Sequence, residues 1–182
     1  MREEKAVEGI ETEVWIQDES RVGQMAPVRR FWSEKGHRPK LRQFLGYKSM
    51  YYYGAVNPET GDSLALITPN CNRDWTELHL EALSEHIGER KHAIVYMDRA
   101  SWHTTKKLKV PGNITLDFFP AYSPELNGIE NLWNLLKGRF LANKIFKTIQ
   151  DVIESMIYAW VCLTPEQIRS TCHCKWILNI NQ

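Results

Sequence analysis

Five consecutive apolar residues, Ala93 to Met97, run straight into a carboxylate, Asp98. The run is β-rich and short, so it reads as a buried central strand rather than a helix. An acid at the mouth of such a strand is costly unless it is solvated, paired or bound to a cation. This one feature asks for a sheet with a buried middle and a polar site at one end. A second strand, Thr12 to Asp18, alternates Val14 and Ile16 with Glu13 and Trp15 and also ends on an acid.

The remaining elements cover such a sheet. Ser49–Val56 and Asp62–Thr68 flank the turn-forming stretch Asn57-Pro58-Glu59-Thr60-Gly61 and form a hairpin. Val28–Trp32 reads as a further short strand and Ile114–Phe119 as another buried one. Trp75–Gly88 reads as a helix whose apolar stripe is Leu78, Leu80, Leu83 and Ile87. Ser123 as N-cap and Pro124 at the first helical position open a second helix, with Ile129, Leu132, Trp133, Leu136 and Phe140 on one stripe. Trp133 is read as core. A last helical stretch runs from about Ile149 to Leu163 and resumes after Pro165. Hairpin strands followed by buried strands and helices indicate an α/β domain, a mixed five-stranded sheet flanked by helices, and that order suits the RNase H-like fold.

At 182 residues the chain is long enough for one domain with a real core. Residues 1–11 read as a charged lead and 12–182 as the domain. No apolar run approaches a membrane span, and nothing resembles a signal peptide. The four cysteines form no pair of CxxC motifs, which suits free thiols in a reducing cytoplasm. Cys172-His173-Cys174 offers too few ligands at too poor a spacing for structural zinc. Net charge is only +1, but it is unevenly spread. Residues 21–48 hold Arg21, Arg29, Arg30, Lys35, Arg38, Lys40, Arg42 and Lys48 against Glu34 alone, and the stretches around Arg99–Lys109 and Lys137–Lys147 are also basic. Such patches are either solvated faces or phosphate contacts.

On the second helix Glu130 borders the buried stripe, 100° from Ile129, and can lean toward the two strand ends. Asp18, Asp98 and Glu130 together would be hard oxygen ligands, suited to Mg²⁺ or Mn²⁺. Two such ions about 3.5–4 Å apart can activate a water or 3′-hydroxyl and stabilise the leaving oxygen of a phosphodiester. No serine elbow, P-loop or Cys/His nucleophile pattern competes with that chemistry.

Asp98-Arg99-Ala100-Ser101-Trp102-His103 resembles the DNAxxH segment of mariner-like insertion-sequence transposases. Pro120-Ala121-Tyr122-Ser123-Pro124-Glu125-Leu126-Asn127-Gly128-Ile129-Glu130-Asn131-Leu132-Trp133 resembles their PPYSPELNPIENLW segment. Asp18-Glu19-Ser20-Arg21-Val22-Gly23 resembles their first-aspartate motif, and Tyr51–Val56 with Thr60-Gly61 their central hairpin. The likeness covers about residues 14–140. It implies an RNase H-like integrase/transposase catalytic core with Asp18, Asp98 and Glu130 as catalytic metal ligands for two ions. It also implies double-stranded DNA (element ends and target) as substrate, a homodimer on DNA, and a nucleoid-associated cytoplasmic setting. A helix-turn-helix reader does not precede the first strand, so a separate or fused N-terminal DNA-binding portion is expected to supply end recognition.

Candidate DNA contacts are Arg21, Arg29, Arg30, Arg38, Lys40, Arg99, His103, Lys106, Lys107 and Lys137. His103 either touches DNA or ends a loop, Glu19 is an outer-sphere acid or solvated, and Glu125 is a rival to Glu130. Two departures from the motifs stand out. Arg99 replaces Asn and either pairs with Asp98 or holds a phosphate. Gly128 replaces Pro and should loosen the first helical turn by roughly 1 kcal/mol relative to Ala. A catalytically inactive remnant that binds DNA in a regulatory role is the alternative to an active enzyme. A ribonuclease H-like nuclease would need different acid spacing.

Overall fold

The computed structural model describes residues 11–30, 32–37, 40–121 and 123–173. Most of the charged lead, Arg38, Tyr122 and Cys174 lie outside the described residues.

Five strands form one mixed sheet in the order β3-β2-β1-β4-β5. They are β1 (Glu11–Gly23), β2 (Ser49–Val56), β3 (Ser63–Thr68), β4 (Lys91–Met97) and β5 (Ile114–Phe118). The hairpin strands β2 and β3 pair antiparallel to each other and β2 to β1, whereas β4 pairs parallel to both β1 and β5. Asn57 makes the hairpin turn by accepting from the backbone N–H groups of Glu59 and Thr60, and Gly61 completes it at φ 78°.

Alternation along the strands divides the apolar residues between two faces. On one, α1 (Arg73–Ile87) packs Leu80 and Leu83 against Trp15, Ala55, Ala93, Val95 and Met97. On the other, α2 (Gly128–Leu136), α3 (Ile149–Val161) and α4 (Pro165–Thr171) bury Ile129, Leu132, Val152, Met156 and Ile168 against Val14, Ile16, Tyr52 and Val56. Capping boxes start α3, with Thr148 and Asp151, and α4, with Thr164 and Gln167.

Four expectations need correction. Val28–Arg30 and Trp32 are not in a strand: Trp32 is fully exposed, and no described strand pairs there, so β-forming side chains found no ladder. β1 does not stop at Asp18. Its parallel pairing with β4 ends at Ile16, but antiparallel pairing with β2 carries it on to Gly23. In α1 the buried stripe is Thr76, His79, Leu80 and Leu83, the i, i+3, i+4, i+7 set, and this phase leaves Leu78 exposed. The second helix is broken into a 3-10 turn at Pro124–Leu126, α2 proper and a π turn at Lys137–Leu141. Asn127, at φ −90° and ψ 90°, interrupts it and is the N-cap of α2 in place of Ser123.

Candidate active site

The two halves of the sheet part company beside Asp18. It lies two residues past the last β1–β4 pair, opposite Gly54 of β2. Asp98 is the first residue beyond β4, and α2 brings Glu130 in from above with its first turn. All three acids line one cavity of about 460 Å³, together with Arg99, Ser123 and Asn127. Glu125, in the 3-10 turn, is not part of that lining. The position where the parallel and antiparallel halves diverge is the kind of sheet edge at which ligands gather.

The acids are held differently. Asp98 is exposed, and its Oδ1 accepts from the Ala100 N–H (2.9 Å) and from His103 Nδ1 (2.8 Å). Those bonds hold its pKa below the usual carboxylate value. Asp18 is half-buried, and its Oδ2 accepts from the Trp133 indole N–H at 3.0 Å. Burial, with the charge of Glu19 beside it, raises Asp18 to about 7, while the indole bond pulls it down and Glu130 pushes it further up. A carboxyl placed where its charge is unwelcome, facing a polar cavity with two other acids, has the electrostatics of a cation site.

His103 is buried rather than facing solvent. Its Nε2 donates to Glu19 Oε1 at 2.9 Å, and Gln17 Nε2 donates to the same oxygen at 2.8 Å. Only an imidazolium donates from both nitrogens. Burial opposes that charge, but the bonds and charges of Asp98 and Glu19 raise His103 to about 10. Glu19 is therefore not solvated but linked to Asp98 through His103, whose two ring nitrogens are both engaged.

Arg99 does not pair with Asp98; its Nε donates to the Phe119 carbonyl at 3.3 Å. Lys137 sits close enough to Asp18 to feel its charge, although burial lowers the lysine pKa overall. Arg21 bonds Ser49 Oγ at the far end of β1. Arg29 lies across Gly138 and donates to the Asn134 carbonyl, so its guanidinium braces the end of α2. Arg30, Lys40, Lys106 and Lys107 are exposed.

Sequence reasoning did not find the roles of Trp133, Gly54 or Asn127. Trp133 is core by periodicity, and nothing local distinguishes it. Asn127 is 6% exposed, lines the cavity and leaves its side-chain oxygen without a hydrogen-bond partner.

For a divalent cation the donor chemistry fits: three carboxylates on one cavity, one of them with a raised pKa. Among the described residues no group of three or more His, Cys, Asp or Glu side chains is already arranged to hold an ion.

A mixed five-stranded sheet between helices, with one acid on β1, one just past β4 and a third on α2, is the RNase H-like fold. The profile of one family, described as DDE superfamily endonuclease, matches residues 13–153. The chain belongs to that family. A Sinorhizobium fredii (strain NBRC 101917 / NGR234) protein, y4pE/y4sA, itself described as uncharacterized, is 41% identical over 110 residues, 60% of this chain and 82% of that one. The Tc3 transposase of Caenorhabditis elegans is 26% identical over 174 residues, 87% of this chain and 52% of that one. Among solved structures, the Mos1 mariner paired end complex with Mn matches at a TM-score of 0.66 and 16% identity, over 88% of this chain and 52% of that one. The Mos1 transposase paired-end complex with left transposon end matches at 0.65 and 15%, over 88% and 51%. This chain thus has the fold of the mariner transposase Mos1 and spans about half the length of the Tc3 and Mos1 chains. No described helix is long and apolar enough to cross a membrane.

Proposed function

We propose that this chain is the catalytic domain of a DNA transposase that cuts and joins phosphodiesters with Asp18, Asp98 and Glu130. The observation that supports this most is that these three acids, far apart in the sequence, line one cavity. In the cutting step a water oxygen bonds the scissile phosphorus as the bond from phosphorus to the 3′-oxygen breaks. That oxygen takes up a proton and leaves as a 3′-hydroxyl. In joining, the 3′-hydroxyl attacks a target phosphodiester and a new 3′-hydroxyl is released.

Bound at these carboxylates, two Mg²⁺ or Mn²⁺ ions would polarise the attacking oxygen and stabilise the leaving one. Asp18 and Asp98 would be the ligands from the sheet and Glu130 the ligand from α2. Arg99 and Lys137, at the cavity and beside Asp18, would meet the phosphates of the reacting strand. The exposed Arg30, Lys40, Lys106 and Lys107 would hold flanking duplex without reading its sequence. End recognition would come from a DNA-binding portion on a fused or separate chain, with two copies acting on paired ends in the nucleoid. The alternative of an inactive remnant drew in part on Arg99 pairing with Asp98, and Arg99 bonds the Phe119 carbonyl instead.

The test is nicking of supercoiled DNA by the purified chain with Mg²⁺ or Mn²⁺. Metal-dependent nicking is expected, and Asp98→Ala should abolish it. A folded chain that binds DNA but nicks with neither metal, alone or fused to a DNA-binding portion, would sink the proposal.

A further inference from the structure

We infer that Trp133 is a positioning residue for Asp18: its indole N–H sets which edge of that carboxylate faces the cation site. The inference rests on the reading of Asp18 as a metal ligand.

The geometry begins with the bond itself, 3.0 Å from Trp133 Nε1 to Asp18 Oδ2 across 115 positions of sequence. An indole N–H is a donor only, so it can serve nothing but an acceptor oxygen.

Next comes the way the ring is held. Trp133 is 4% exposed and packs edge-on to Tyr52, with centroids 5.9 Å apart, and against Trp160 at 5.8 Å. Tyr52 and Trp160 also touch each other at 5.6 Å, so the indole is gripped by two rings, one from β2 and one from α3. Finally, β2 leaves room for it. A methyl group at Gly54, the residue paired with Asp18, would lie 2.6 Å from the Trp133 ring and 3.1 Å from that of Trp160. Gly54 is thus the gap through which a helix side chain reaches a strand carboxylate. Glu130 and Trp133 are three residues apart on α2, so one helical face both presents a ligand and orients another.

Groups that orient metal ligands from outside the coordination sphere matter nearly as much as the ligands themselves, and losing one typically costs about 10- to 100-fold in metal affinity. Trp133→Phe keeps the ring and deletes the donor. Mn²⁺ binding, followed by the electron spin resonance of the free ion, should weaken by about that factor in the folded variant. The indole N–H resonance of Trp133, assigned by its through-space contacts to the Tyr52 and Trp160 rings, should shift in Asp18→Asn and broaden as Mn²⁺ is added to the wild-type chain. This spectroscopic arm needs only Asp18→Asn if Trp133→Phe does not fold. Unchanged Mn²⁺ affinity in folded Trp133→Phe, or an indole resonance indifferent to Asp18→Asn, would overturn the inference while leaving the metal site standing. A wild-type chain that binds Mn²⁺ no better than Asp18→Ala would overturn the metal site, and the inference with it.

Discussion

His103 lies with its side chain 1% exposed, clamped between the carboxylates of Glu19 and Asp98, which favour its imidazolium form. Removing one member of a buried ion pair leaves the other desolvated and uncompensated. His103→Ala strands Glu19, whose side chain is 7% exposed, with Gln17 as its remaining donor. The expected loss is on the order of 3 kcal/mol, read from urea unfolding at neutral pH. Adding Glu19→Gln should recover part of that loss, because the stranded charge is gone. Equal stability of wild type and His103→Ala would mean that the imidazolium contributes nothing. The motif likeness located His103, but only its burial showed that it faces inward to Glu19.

At the scale of elements, α3 supports the site without contributing a ligand. Val152, Met156 and Ala159 are fully buried, and Trp160 backs Trp133. The helix begins at a capping box in which Thr148 accepts from the Asp151 N–H and Asp151 accepts from the Thr148 N–H. Thr148→Ala should cost about 1 kcal/mol, a fall of roughly 2–4 °C in Tm for a domain of this size. A melting curve indistinguishable from wild type would show that the first turn of α3 is held by packing alone. The start of α3 was legible because capping and periodicity are local signals. The break in the preceding helix was missed because Ser123-Pro124 is an equally good local start, and only the packing of Ile129 and Leu132 onto the sheet selects Gly128 as the first α-helical residue.

Across the whole molecule, the layer between α1 and the sheet contains a buried histidine. His79 packs at a tilt against Tyr53, ring centroids 5.6 Å apart, and lies near the Leu64 backbone and His103. Burial drives its pKa down to about 4, only partly offset by the Leu64 backbone. A histidine kept neutral in the fold but free to protonate when unfolded stabilises the native state above its ordinary pKa of about 6.5. That contribution is lost as pH falls toward 4 and amounts to something on the order of 3 kcal/mol. Stability should therefore drop between pH 6.5 and 4 by chemical denaturation, and His79→Leu should flatten that limb. An unchanged acid limb in the variant would place its origin elsewhere. His79 was legible as part of a helix but not as its buried face, since Leu78 beside it is the more apolar residue.

What the sequence alone determined is whatever short-range pattern and motif can carry. Ala93–Met97 is too apolar to lie anywhere but mid-sheet, Asn57–Gly61 must turn, and Asp18, Asp98 and Glu130 sit in segments that resemble mariner-like transposase motifs. Tertiary structure decided which partners those acids keep. Trp133 reaches Asp18 across 115 positions, which requires Gly54 and the phase of α2 to coincide beside β1, and His103 reaches Glu19 across 84, which requires the segment after β4 to lie against β1. The length of β1 past Asp18 was likewise settled by β2, which goes on pairing after β4 has stopped. Local preference counts a residue's neighbours in the chain. A ladder, a buried ion pair or a gripped indole is stabilised by neighbours that the chain supplies only after it has folded.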